Sequence, residues 1–390
     1  MVGISFIYVF MIKYLTFSVV LLMCLSSCRN ENNVVELTDV TIRELSQREH
    51  VNLHDLCVDY SYIKLHKIQP EFNSFRINKI CFTKKYLIVL WENSNKVSIF
   101  NRDGNHILDV SDLLSQTDSF KSIDLKCDFA LDILYILIEG NQLLVLKLDS
   151  QVEKFKIISE IFLGSVEVNE IIKIPECDTY ALSTLGFTSD FAMVRSLPIR
   201  NNNLFAQKIV SSRYNKYVKI KNSFLSDGND VYYMKYQNDT IYLVGCKGIT
   251  PKFAFNFSGL NLKEISDTSN YFKQNTISNT TILAFNIVKD NYILKYSVDS
   301  EIYYLFKTVN NGFINVNSTN IVNNIFGSKS LNCIGIDQFS GSFAFQIPSN
   351  TLKRFRNKEI DIIEEDTFVK IDSLRITENE TPIVILLKLK

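Results

Sequence analysis

Residues Arg76–Val110 read RINKICFTKKYLIVLWENSNKVSIFNRDGNHILDV. Four runs rich in β-branched, aromatic and aliphatic residues stand out: Arg76 to Phe82, Tyr86 to Leu90, Lys96 to Phe100 and His106 to Val110. Short polar breaks separate them, which is the pattern of an antiparallel meander. The third run closes on Asn101-Arg102-Asp103-Gly104, and Asp-Gly supplies the positive φ that a hairpin turn requires. The stretch therefore predicts one small sheet of strand-length runs.

The rhythm returns along the chain. A second unit runs Ile123 to Phe129, Ile133 to Ile138, the turn Glu139-Gly140-Asn141, and Gln142 to Leu148. Blurred copies follow at Ile171 to Leu185, Asp230 to Phe257, Ile282 to Lys307 and Leu331 to Ile347. Residues 57–390 are 334 positions, enough for about seven units of roughly 40 to 50 residues, or six with long loops. A four-stranded blade has two apolar faces and cannot bury either alone, whereas a ring of blades covers both and protects the edges. The expected fold is all-β: a six-bladed β-propeller of four-stranded antiparallel blades. Its last run, Pro382 to Leu389, would complete a blade with a strand from Cys57 to Leu65. Ile360, Ile363, Thr367, Ile371 and Leu374 recur at three- and four-residue steps, predicting a short helix near the C-terminus.

Ahead of the ring, an apolar run from Tyr14 to Leu25 follows Lys13, with no charge until Arg29. That is a signal-peptide pattern, and the run is shorter than the roughly 20 apolar residues that span a bilayer. It ends in Leu25-Ser26-Ser27-Cys28, which looks like a bacterial lipobox whose cysteine receives diacylglycerol. Acyl chains there would hold the chain at a membrane through about 0.8 kcal/mol per buried methylene. The expected organisation is residues 1–27 as lipoprotein signal peptide, 28–56 as lipidated tether and 57–390 as propeller. Met11 is an alternative start, and the apolar residues from Val2 to Phe10 leave an uncleaved anchor as the alternative to cleavage.

Without residues 1–27 the chain has 41 basic and 42 acidic residues, a net charge of −1. Nucleic acid, which demands clustered Lys and Arg, is excluded as an expected partner. Of the eight cysteines, six lie beyond Cys28, scattered and without a C-x-x-C pair. Buried free thiols are expected, since a chain this long has enough core without disulfides. His50, His54 and Cys57 have the steps that align side chains on a helix, but on an extended lead-in strand they would diverge, so neither a metal nor a cofactor is expected. No G-x-S-x-G, H-E-x-x-H, P-loop or dinucleotide fingerprint is present. Tyr232-Tyr233 and Tyr303-Tyr304 could stack on a sugar or peptide, or simply pack between sheets.

Five stretches carry a family resemblance: the lipobox, Val58-Asp59-Tyr60-Ser61-Tyr62-Ile63-Lys64-Leu65, the blade ending Lys96 to Gly104, Asn238-Asp239-Thr240-Ile241-Tyr242 with Pro251 to Phe257 behind it, and Pro382 to Lys390. Together they resemble the six-bladed β-propeller lipoproteins of Bacteroidota, NHL- or TolB-like in type. The resemblance implies fold and location, a lipid anchor in the cell envelope at the outer membrane, on its periplasmic or outer face. It carries over no catalytic residue. It also makes Asp239-Thr240-Ile241 and Asp372-Ser373-Leu374 similar to Asp-Ser/Thr-aliphatic O-glycosylation sites, although Asp239-Thr240 also suits a hairpin turn. The function expected is a non-enzymatic binding or scaffold module, a monomeric ring holding an extracytoplasmic peptide, glycan or envelope protein. The alternative is a propeller hydrolase or lyase acting on extracellular glycan or peptide.

Overall fold

A computed structural model of the chain describes residues 37–42, 45, 47–66, 76–92, 96–114, 122–128, 132–139, 142–149, 154–162, 168–175, 177, 179–184, 191–195, 205–210, 223–227, 230–234, 239–246, 248–257, 281–298, 301–310, 312–323, 325, 331–347 and 382–390. Among these residues the strands form four four-stranded sheets, two five-stranded sheets and one two-stranded pair. Helix is confined to single turns such as Leu53–Leu56. The helix predicted across Ile360 to Leu374 lies outside the described residues, as does Cys28.

Each larger sheet is a meander. The first is Ile77–Phe82, Tyr86–Trp91, Val97–Asn101 and His106–Asp109. The second is Ser122–Asp128, Ile133–Ile138, Gln142–Asp149 and Lys154–Phe162. The third is Val168–Ile174, Thr179–Thr184, Phe191–Arg195 and Phe205–Val210. The fourth is Ser223–Ser226, Val231–Met234, Thr240–Gly245 and Gly248–Asn256, and the fifth is Thr281–Val288, Asn291–Val298, Glu301–Thr308 and Gly312–Asn317. The sixth is Cys333–Asp337, Ser342–Ile347 and Ile383–Leu389, completed by Cys57–Lys64 from the other end of the chain.

The first strands of successive sheets lie side by side, from Ile77–Phe82 round to Cys333–Asp337, which packs back on Ile77–Phe82. The series closes on itself, and the fold is a β-propeller. The core is correspondingly divided into wedges between neighbouring sheets, such as Ile88, Ile99, Leu134 and Leu146 between the first and second. With both faces covered, a central strand need not alternate. All six residues of Tyr86–Trp91 are buried. Gly335 marks a close approach of the sixth sheet to the first, because a Cβ there would collide with the Ile80 carbonyl.

Closure follows the sequence expectation. Ile383–Leu389 pairs antiparallel with Cys57–Lys64, Ile383 opposite Lys64 and Leu387 opposite Tyr60. The turn Asn101 to Gly104 docks beside this seam. Asn101 Oδ1 accepts hydrogen bonds from the Asp103 and Asn105 amides at 3.1 and 2.8 Å, and Gly104 sits at φ 85° against the Lys64 carbonyl with no room for a Cβ.

Two expectations need correction. Part of the stretch read as a tether, 28–56, is bound to the ring. Thr38–Thr41 adds to the fourth sheet parallel to Gly248–Asn256, Gln47–Arg48 adds to the fifth parallel to Gly312–Asn317, and Val51–Asn52 pairs with Ile321–Val322. Val40, Ile42, Val51, Leu53 and Leu56 are all buried. The physical reason is that the outermost strands of those sheets offer unpaired N–H and C=O groups, which short parallel strands satisfy while their few apolar side chains fill the flank. The compact body is Leu37–Lys390.

The second correction concerns the thiols. Cys177, in the first hairpin turn of the third sheet, is bonded to Cys246, in the last hairpin turn of the fourth, with Cα atoms 5.9 Å apart. Adjacent sheets bring together residues 69 positions apart, a proximity no local pattern encodes. Cys57, Cys81, Cys127 and Cys333 are free, the first two buried. In the chain-entropy account a loop of this length contributes about 4 kcal/mol. Cys177→Ser is expected to lower stability by about 2 to 5 kcal/mol, read as an earlier urea midpoint; an unchanged midpoint would show that the bond is idle.

Candidate functional site

The first strands of the sheets, which surround the axis, are where the fold places its charge. Lys79 on the first sheet donates to Asp124 Oδ1 on the second at 2.6 Å. The other oxygen of Asp124 accepts from the Ile171 amide of the third sheet at 3.2 Å. Lys126 Nζ reaches the Phe224 carbonyl of the fourth sheet at 2.7 Å, and the Phe224 amide donates to Glu170 Oε2 of the third at 2.7 Å. Two cations and two carboxylates thus lace four inner strands, a set with no formal net charge. A charge this deep is tolerated only when paired.

The electrostatics follow from burial and pairing. Burial works against the Asp124 charge, yet Lys79 and Lys126 hold its carboxyl below the usual carboxylate range. Burial raises Glu170, with the two lysines opposing. For Lys126, burial and then the neighbouring Lys79 push the amine down to about 8. Between that value and the ordinary one of 10.5 the unfolded chain binds more protons than the folded one. Stability owed to this amine therefore rises as pH climbs through that window. The urea midpoint of the wild type should gain on that of Lys126→Met between pH 8 and 10; a constant difference would contradict the assignment.

A second cluster stands where three inner strands finish, at Phe82, Ser226 and Asp337. Arg102, from the turn quoted above, pairs with Asp337 Oδ2 at 2.5 Å, and Asp337 is fully buried. The guanidinium carbon lies 5.1 Å from the Phe82 ring centre and 5.9 Å from that of Phe339, a cation between two aromatic faces. Arg102 Nη1 is buried and has no hydrogen-bond partner among the described residues. The turn carrying Phe339 is held by its own side chains: Ser340 Oγ donates to Asp337 Oδ2 at 2.8 Å, and the Phe339 amide to Oδ1 at 3.2 Å. Gln338 Nε2 reaches the Ser226 carbonyl at 3.3 Å, so a turn of the sixth sheet bonds to the fourth. Phe339 itself is 45% exposed.

A third feature is a cleft of about 300 Å³ lined by Arg48, His50, Asp55, Ile314 and Lys390. His54 lies on the turn Leu53–Leu56 and meets Tyr60 edge-on, ring centres 6.1 Å apart. The lead-in is thus helical at His54, not extended, and Cys57 opens the following strand, its thiol pushed up to about 12 by burial. Among the described residues no three His, Cys, Asp or Glu side chains are placed to hold a metal ion. The paired tyrosines are packing: Tyr232, Tyr233 and Tyr304 are buried, and Tyr303 stacks on Tyr296 at 5.4 Å. Thr240 Oγ1 donates to Asp239 Oδ1 at 2.9 Å at the start of Thr240–Gly245.

Neither charged cluster was anticipated. The signal for the first is a charge inside strand-like text, as in Ile77-Asn78-Lys79-Ile80 and Ile123-Asp124-Leu125-Lys126. Arg102 and Phe339 lie in turns, where nothing in the sequence sets them apart.

No protein-family profile matches this chain, and no curated protein does. Among solved structures, a putative exported protein from Bacteroides fragilis superposes with a TM-score of 0.68 at 15% identity, covering 91% of this chain and 100% of that one. What the two share is the propeller fold. A member of the DUF4221 family from Bacteroides vulgatus aligns over 86% of this chain and 98% of its own, with TM-score 0.44 and 10% identity. Among the described residues no helix is long and apolar enough to cross a membrane.

Proposed function

We propose that this chain is a lipid-anchored, six-bladed propeller of the cell envelope, akin to the NHL- or TolB-like lipoproteins of Bacteroidota, that acts as a non-enzymatic binding or scaffold module. Six blades are supported by the six larger sheets and the closed cycle of their first strands. Residues 1–27 are the signal and Cys28 carries the lipid, while Thr38–Thr41 of the stretch behind it is bonded to a sheet. The module is a monomeric ring that takes an extracytoplasmic peptide, glycan or envelope protein at one end of its central channel, with no nucleic acid partner.

The observation that carries this reading is the pairing of Arg102 with Phe339. Phe339, 45% exposed, stands on a turn locked by Asp337, and the Arg102 guanidinium from the first sheet packs beside it with a buried N–H that no described residue uses. Rigid aromatic anchors with a few convergent donors are what a recognition surface needs. The deeper carboxylates, by contrast, are already engaged with lysines or backbone amides. Screening purified residues 29–390 against peptide and glycan libraries tests the proposal. Saturable binding without turnover is expected, and turnover of any library member would replace the module with the hydrolase or lyase reading.

A further inference from the structure

Lys289 lies exposed in the hairpin turn between Thr281–Val288 and Asn291–Val298 of the fifth sheet, at φ 55°. That left-handed conformation is one that glycine, asparagine or aspartate adopts at less cost. Among the described residues no hydrogen bond or ion pair engages its amine. Its side chain runs along the turn that carries Phe339: a Cβ built on Gly341 would stand 3.3 Å from Lys289 Nζ and 3.4 Å from its Cε. Arg102 reaches the same turn from the first sheet, its guanidinium carbon 5.9 Å from the Phe339 ring centre. The inner strand Cys333–Asp337 packs on those of both the fifth and the first sheets. Two cations from its two neighbours therefore meet one turn that bears an exposed aromatic ring.

The carboxylates nearby leave those cations largely to a ligand. Asp337 is fully buried and spent, Oδ2 on Arg102 and the Ser340 hydroxyl, Oδ1 on the Phe339 amide. Asp103 and Asp290, exposed beside the two cations in sequence, pair with neither among the described residues. What the turn keeps unused is donor capacity, the Lys289 ammonium and, beside the ring, Arg102 Nη1. A charged acceptor makes the strongest hydrogen bonds to such groups. The platform is also set in advance, because Arg102 packs between the Phe82 and Phe339 rings and Ser340 holds Asp337, which lowers the ordering cost of binding.

We propose that this turn takes a hexuronic acid residue of an acidic glycan, with the pyranose face on Phe339 and the carboxylate at Lys289. The inference rests on the binding-module reading and names the ligand class of that site. A uronic acid has an apolar C–H face and, on the adjoining exocyclic carbon, a carboxylate, so one rigid residue covers the ring and reaches the ammonium together. An extended peptide needs backbone partners instead, and the amides of Phe339 and Gly341 are already given to Asp337.

The test is calorimetry of the full-length protein in detergent with oligosaccharides of galacturonic, glucuronic, mannuronic and guluronic acid. Each is run beside its methyl ester, which keeps the pyranose and removes the charge. At least one acid should bind saturably, its ester several-fold more weakly, and the advantage of the acid should shrink as salt is raised. In Lys289→Gln, shown to be folded by its urea transition, acid and ester should bind alike. Equal binding of acid and ester by the wild type, or a Lys289→Gln protein that keeps the full preference for acid, would overturn the proposal. So would a panel in which no acid binds while a peptide or a neutral glycan does, an outcome that leaves the binding-module reading standing. No saturable binding by any acid, neutral glycan or peptide would remove both.

Discussion

Deletion of Ile383–Lys390 is expected to leave no folded ring. Six of the seven residues of Ile383–Leu389 are buried, between Ser342–Ile347 on one side and Cys57–Lys64 on the other. At about 1.5 to 3 kcal/mol per buried aliphatic side chain, their loss is comparable to the whole stability of an ordinary domain, about 5 to 15 kcal/mol. It also frees Cys57–Lys64, whose partner on the sixth sheet is gone. A gentler probe is Ile385→Asp, which places an unpaired carboxylate at a fully buried site and should cost more than about 4 kcal/mol. Lys388→Gln, at the exposed position of the same strand, should stay within about 0.5 kcal/mol of the wild type. Circular dichroism and urea titration separate the three; a cooperative transition in the deletion variant would mean that the ring closes by another route.

Cys28→Ala should move the protein from the membrane to the soluble fraction and abolish acyl labelling. One acyl chain gives only marginal attachment, whereas two or more give a lasting one, and in the proposed reading Lys13 with the run Tyr14 to Leu25 would still direct export. The measurement is incorporation of labelled palmitate together with fractionation of cells. An unlabelled wild type, with the variant still sedimenting with membranes, would instead favour an uncleaved anchor through the apolar residues from Val2 onward.

How much of this was legible before the structure depended on where each signal resides. The first meander, Arg76 to Val110, could be read because alternating breaks and the Asp-Gly turn are local properties. The closing strand was legible too, since Pro382 to Leu389 is apolar but for Lys388 and only a completed sheet would bury it. The lead-in was misread because Val40, Ile42, Val51, Leu53 and Leu56 are sparse among polar residues, and their burial depends on sheet edges hundreds of residues away. Cys177–Cys246 has the same character: a contact between neighbouring sheets, set by ring geometry and not by spacing. The charges at Lys79, Asp124, Lys126 and Glu170 sit in apolar strands where surface solvation would be the default reading, and only the adjacency of four inner strands turns them into partners. Arg102 and Phe339, which support the binding role, come from turns of different sheets.

The most direct measurement compares wild type, Phe339→Ala and Arg102→Gln, each shown to be folded by its urea transition, on the same peptide and glycan arrays. The binding-module account predicts saturable, turnover-free binding by the wild type and its loss, by tenfold or more in affinity for about 1.4 kcal/mol of lost contact, in both variants. Undiminished binding by the two folded variants, or conversion of an array member into product, would contradict it.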